Sequence, residues 1–147
     1  GDFINMLTLN IKLPSTIASI RYFDAILPMS IEEYIGYADR AIAFSIHELL
    51  INAVEATKGR YGDESGERLL KVNLAIDEEH IHVEVCDEAG GMTHHELTLV
   101  QDTSLEHVLY DSRGRGLLMV KELVDELSFE ESSGQFIVKF KKRRVQS

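Results

Sequence analysis

Cysteine is almost absent from this chain of 147 residues. Cys86 stands alone, so no intrachain disulfide can form, which suits a reducing compartment. Proline occurs only as Pro14 and Pro28, and no stretch rich in Pro, Gly or Ser is long enough to separate two domains. No apolar run approaches the roughly 20 residues of a membrane-spanning helix, and the opening residues lack the pattern of a signal peptide. A cytoplasmic protein with no membrane contact is therefore expected. The start, Gly1-Asp2-Phe3, has no initiator Met, which fits either a few added leading residues or an excised piece of a longer protein. Positive charge is in deficit: 15 Lys and Arg against 25 Asp and Glu give a net charge of −10. Such a surface repels a phosphate backbone, so direct nucleic-acid binding is not expected. A single nucleotide held by local dipoles and a metal ion remains compatible with it.

What is present is ordinary globular composition, 44% hydrophobic and 27% charged. That suffices for one core in one domain spanning 1–147. Leu7, Leu9, Ile11 and Leu13 alternate with polar residues, the period of a half-buried strand ending at Pro14. Ser15 to Leu27 predicts a helix with Ile17, Ile20, Phe23 and Ile26 inward, closed by Pro28. Ser30, with Glu33 three residues on, predicts the capped start of a longer helix reaching about Thr57. Ile35, Ala38, Ile42, Ile46, Leu49 and Ala53 form its apolar stripe. The polar stretch Lys58 to Arg68 reads as a surface loop.

Val72, Leu74 and Ile76, then Ile81, Val83 and Val85, alternate on either side of the polar turn Asp77 to His80, which predicts a hairpin. Asp87 to about Arg113 reads as a loop with a short helix around His94 to Gln101. Gly116 to Leu127 predicts a helix. Strands over Leu127–Glu130 and Phe136–Phe140 then flank a turn at Gly134, and Lys141 to Arg144 reads as a solvated strand end. The order of elements predicts an α/β (α+β) two-layer sandwich, a mixed β-sheet with helices packed on one face.

Three clusters could carry chemistry. On the long helix, Glu48 and Asn52 are four residues apart and share one face. Their neighbours Leu49, Leu50, Ile51, Ala53 and Val54 are apolar, so a carboxylate and an amide are held at a largely buried surface. Asp87-Glu88-Ala89-Gly90-Gly91-Met92 follows the strand ending in Cys86. An Asp there can accept from a base amino group, and glycines let a flat ring approach the backbone. Arg113-Gly114-Arg115-Gly116-Leu117 opens the last helix, where backbone N–H groups and the positive dipole end favour an anion. Each cluster alone also has an ordinary meaning: a polar helix edge, a glycine turn, a helix cap. His94, His95 and His107 form no metal-ligand pattern.

The order and contexts of the three resemble the histidine-kinase-like ATPases, the superfamily of DNA gyrase, the heat-shock chaperone and the sensor histidine kinases. The resemblance covers about residues 41 to 140. No helix with a phosphorylatable His precedes the motifs, so a complete sensor histidine kinase is not expected. The run Gly114-Arg115-Gly116-Leu117-Leu118-Met119-Val120-Lys121-Glu122-Leu123-Val124-Asp125-Glu126-Leu127 is similar to the last-helix signature of the anti-sigma-factor serine/threonine-protein kinases. The resemblance implies a Bergerat-type ATP-binding fold with ATP and Mg²⁺ as cofactors. It implies Glu48 as general base and Asn52 as the Mg²⁺ ligand. Asp87, Gly91 and Met92 would form the adenine side, and Arg113, Gly114, Arg115, Gly116 and Leu117 the phosphate side, with Thr93 to Arg113 as a lid. It implies phosphorylation of a serine on an anti-anti-sigma (STAS-type) partner, control of a sigma factor, and a homodimer. The alternatives are a non-catalytic nucleotide-binding switch or the ATP-binding domain of a larger signalling protein. Ala89 departs from the family's Asp-x-Gly-x-Gly pattern, Ala56 stands where many relatives are basic, and Gln135 where many have Thr. Lys58 or Arg60 is the candidate replacement for the basic residue.

Overall fold

The computed structural model describes residues 6–90 and 116–145. The elements are β1 (Leu7–Pro14), α1 (Ile17–Ile35), α2 (Arg40–Tyr61), a short 3-10 helix (Gly62–Glu67), β2 (Leu69–Ile76), β3 (His80–Asp87), α3 (Gly116–Leu123), β4 (Glu126–Ser132) and β5 (Gln135–Arg143). The five strands form one sheet in the order β1-β2-β3-β5-β4. The two-layer α+β sandwich expected from the sequence is the observed architecture, but its sheet is antiparallel at every pairing rather than mixed. β5 turns back from β4 and inserts between β4 and β3, so β3 and β4, which run the same way, are not neighbours. The turn that does this uses Ser133 and Gly134, both at positive φ (52° and 80°). That backbone matches the right-handed twist of a tight hairpin.

Strand alternation builds the core. Val72, Leu74 and Ile76 of β2, Ile81, Val83 and Val85 of β3, and Phe136, Val138 and Phe140 of β5 are buried. They meet Ile20, Phe23, Leu27 and Ile31 of α1, the apolar stripe of α2, and Leu117 and Val120 of α3. The opposite face of the sheet is polar. There the Lys139 ammonium is held 2.8 Å from Glu130 and 3.4 Å from Glu84, and hydrogen bonding to Glu130 first keeps its pKa above the ordinary lysine value. Among the described residues, no helix is long and apolar enough to cross a membrane.

Two boundaries differ from the sequence expectation. α1 does not stop at Pro28; it runs through it to Ile35. Ile20, Phe23, Leu27 and Ile31 continue one buried stripe across the proline, and that burial outweighs the hydrogen bond Pro28 cannot donate, a loss of about 3 kcal/mol. Ile17 is exposed instead of inward, at 66%. Ser30 is therefore no N-cap. Its hydroxyl donates to the Ile26 carbonyl at 2.7 Å, within the same helix. Gly36, at φ 90°, ends α1 by donating to Glu32 O. α2 starts at Arg40, with Asp39 accepting from Ile42 N at 3.0 Å, so Ile35 and Ala38 are not part of its stripe. α2 also runs past Thr57 to Tyr61. At the other end of the chain, α3 closes at Leu123, and Leu127 belongs to β4. The short helix expected around His94 to Gln101 lies outside the described residues.

The basic end is pinned rather than loosely solvated. Lys142 Nζ donates to Asp39 Oδ2 at 2.8 Å, with the Asp39 side chain only 6% exposed. Arg144 donates to the Asp77 carbonyl at 2.6 Å. The last strand thus holds both the start of α2 and the tip of the β2–β3 hairpin.

Candidate functional site

α2 carries the first cluster because its buried stripe fixes its rotation. Ile42, Ser45, Ile46, Leu49, Leu50, Ala53 and Thr57 face inward. Glu48 and Asn52 fall at the margin of that stripe, half-buried and one turn apart. Next to Glu48, His47 turns onto α1, where its Nδ1 lies 2.7 Å from Asp24 Oδ2. That pair ties the two helices at the level of Glu48.

α3 begins against the same point. A Cβ on Gly116 would overlap the tip of the Glu48 carboxylate, so a side chain there would push this flexible group from its place beside the helix start. Leu117 is fully buried in the core. Its side chain seats α3 on α2, and any ligand contact at this position falls to its backbone.

The second cluster sits at the end of β3. Asp87 is only 2% exposed. Its Oδ1 accepts from Ala89 N at 2.9 Å, which folds the chain into a side-chain-braced turn. The positive φ of the turn falls on Gly90, at 73°. Ser133 is the only non-glycine at positive φ among the described residues. Ala89 therefore sits in backbone that any residue adopts, and its departure from the glycine pattern carries no backbone strain.

The C-terminal end of α2 is bolted to this turn. Arg60 Nη1 donates to Ala89 O at 2.8 Å and occupies the space a Cβ on Gly90 would need. Tyr61 Oη donates to Glu88 O at 3.0 Å, and Glu88 Oε1 accepts from Leu69 N at 2.5 Å. The Arg68 guanidinium lies 3.9 Å from the centre of the Tyr61 ring. Of this clamp the sequence alone marks only Arg60, as a candidate basic residue. Its one visible sign was the basic and aromatic end of a helix facing a glycine turn. Lys58 is exposed on the last turn, and Gln135 is exposed at the start of β5.

The three clusters thus converge on α2. Its middle carries Glu48 and Asn52, its end holds the turn after Asp87, and α3 starts where Glu48 stands. Gly91, Met92, Arg113, Gly114 and Arg115 lie outside the described residues, as does the expected lid. The donor set is a carboxylate and an amide oxygen on one helix, a buried carboxylate at a strand end, and a helix start. It combines hard oxygen ligands with an anion-favouring helix terminus.

With this architecture in view, the comparison with known sequences is decisive. Residues 26–142 match the histidine kinase-like ATPase domain. The chain belongs to that family. As a histidine kinase-like ATPase domain it is also similar in fold to the crystal structure of the RsbU and RsbW domains of Rv1364c from Mycobacterium tuberculosis. The TM-score is 0.62 and the identity 22%, over 93% of this chain. The match takes in 32% of the length of that chain. No match is found among curated proteins.

Proposed function

We propose that this histidine kinase-like ATPase domain binds Mg·ATP and transfers its γ-phosphoryl group to a serine of a protein partner. The observation that carries this function is the meeting of Glu48 with Gly116. A carboxylate that can take a hydroxyl proton stands beside a helix start whose N–H groups favour phosphate oxygens. In the proposed reaction Glu48 orients the serine hydroxyl and accepts its proton as the Oγ–phosphorus bond forms and ADP departs. Such transfer depends on positioning and charge rather than on a covalent enzyme intermediate. Asn52 offers an amide oxygen, the hard donor Mg²⁺ takes alongside phosphate oxygens, and when bound the ion neutralises phosphate charge. Asp87, buried and braced by Ala89 N, is assigned to the adenine amino group, with Gly91 and Met92 beside it. Arg113, Gly114 and Arg115 are assigned with Gly116 to the phosphates.

The partner class rests on the run from Gly114 to Leu127, which is similar to the last-helix signature of the anti-sigma-factor kinases. An anti-anti-sigma (STAS-type) protein is the proposed substrate, a sigma factor the proposed target, and a homodimer the proposed assembly. Calorimetric titration with Mg·ATP and Mg·ADP tests the binding step, and failure of both at millimolar concentration overturns it. Phosphate incorporation into a STAS-type protein tests the transfer. Binding without transfer leaves a nucleotide-controlled switch.

A further inference from the structure

The tip of the β2–β3 hairpin holds a second group of chemistry-bearing side chains, away from the nucleotide motifs. Ile81 and Val83 are buried, so His80 and His82, which alternate with them, lie together on the open face of the sheet. Their ring centres are 5.9 Å apart. Asp77 lies in the turn that precedes them. One ligand atom from each of Asp77, His80 and His82 falls within 4.8 Å of the others.

The carboxylate is already oriented. Asp77 Oδ1 accepts from Glu79 N at 2.8 Å and from His80 N at 2.7 Å. That leaves Oδ2 turned toward His82 Nε2, 3.1 Å away. The backbone beneath is held as well, since Asp77 N donates to His80 O at 3.0 Å and Arg144 N to Glu79 O at 2.7 Å. Backbone N–H groups that fix one carboxylate oxygen act as the outer shell that orients a metal ligand. The side chains of His82 and Asp77 are 41% and 39% exposed, so an ion can reach them from solvent.

We propose that Asp77, His80 and His82 form a binding site for a divalent first-row transition ion of the zinc or nickel type. Two imidazoles and one carboxylate suit these ions and not Ca²⁺ or Mg²⁺, which take oxygen sets. Ions of this class hold N and O atoms at about 2.0–2.2 Å, so two ligands of one ion stand roughly 3–4 Å apart. The set closes by side-chain rotation on an unmoved hairpin. Three protein ligands leave at least one position for water.

Nearby cations oppose an ion only in part. Lys141 pairs across from His82 and Arg143 across from His80. Lys141 Nζ lies 3.4 Å from Glu126, and Arg144 is committed to the Asp77 carbonyl. Glu78 and Glu79 add negative charge in the turn. His80 and Asp87 are at opposite ends of β3, seven residues or about 23 Å apart, so this site and the proposed nucleotide site are independent.

The test is calorimetric titration of the untagged protein with Zn²⁺ and Ni²⁺, and with Co²⁺ followed by visible absorption. One ion per chain at micromolar concentration is expected. His80→Ala and His82→Ala should each weaken it at least tenfold. Asp77→Asn should weaken it too, while its amide oxygen still braces the turn. A His94→Ala, His95→Ala double variant should bind as wild type. No saturable binding below millimolar concentration overturns the proposal. So does wild-type affinity in His82→Ala, or loss of the ion in the His94, His95 variant.

Discussion

Glu48 fills the space that any side chain at position 116 would need. A helix residue and a glycine 68 positions later therefore constrain one another. The atom in the way is the tip of a flexible carboxylate rather than backbone. The contact consequently governs where Glu48 points more than whether the domain folds.

Gly116→Ala should change stability by less than about 1 kcal/mol, since the group it displaces is the end of a flexible side chain at the first position of the helix, not its interior. It should nevertheless displace Glu48 and lower phosphoryl transfer. Glu48→Ala should abolish transfer and leave Mg·ATP affinity near wild type. In the double variant, Gly116→Ala should cost nothing further, because the carboxylate it displaces is gone. If Glu48 serves only as a cap for α3, Glu48→Ala will lower the melting temperature and spare transfer. Thermal melts beside a phosphate-incorporation assay separate the two.

The turn after Asp87 makes an opposed pair of expectations. Gly90→Ala forces a side chain into positive φ and onto the Arg60 guanidinium, and should destabilise by about 1–3 kcal/mol. Ala89→Gly restores the family's glycine where no positive φ requires it. It should destabilise by about 0.4–1 kcal/mol through the freer unfolded chain. Urea unfolding of both variants checks this, and a stabilised Ala89→Gly would refute the placement of the turn.

Much of this was legible because it rested on local pattern. The strand alternation from Leu7 to Leu13 and around Asp77 and His80 gave the elements of the first three strands. The Glu48–Asn52 spacing gave one face of α2. The helix boundaries that local pattern does not give depend on tertiary burial. Pro28 and Ser30 carry strong local signals for a helix boundary, yet Ile31 continues the stripe of Phe23 and Leu27 into the core. The true boundary residues, Gly36 and Asp39, are good caps too, but they follow Pro28 and Ser30, which offer a boundary first. Strand order was likewise invisible, because nothing in β4 or β5 alone says that β5 lies next to β3. The Arg60–Ala89 clamp joins residues 29 positions apart and exists only through the fold.

Asp39 has two partners on different elements: the N–H of Ile42 and the ammonium of Lys142. Asp39→Ala removes a helix cap and strands Lys142, whose side chain is 20% exposed. A loss of about 2 kcal/mol is expected. Asp39→Asn keeps a capping oxygen and should cost less. Lys142→Met leaves the nearly buried carboxylate uncompensated, and adding Asp39→Asn to it should recover part of that loss. Chemical denaturation of the four variants measures the coupling, and strict additivity would show that the pair contributes nothing.

Asp87 tests the adenine assignment most directly, because its structural and binding roles call for different chemistry. The brace to Ala89 N needs only an oxygen acceptor, which an asparagine supplies. An adenine amino group also needs an acceptor, and the amide of an asparagine offers one oxygen where the carboxylate offers two. Asp87→Asn should therefore keep the turn while turning an N–H₂ group toward one of the two donors. A lost acceptor in a buried hydrogen bond costs about 1–3 kcal/mol, which is roughly 5- to 150-fold in affinity. The expected result is a melting temperature close to wild type with Mg·ATP and Mg·ADP weakened by the same factor, since both share the base. Weakening of ATP alone would move Asp87 to the phosphate side. Unchanged affinity for both nucleotides in a folded variant would remove Asp87 from the site.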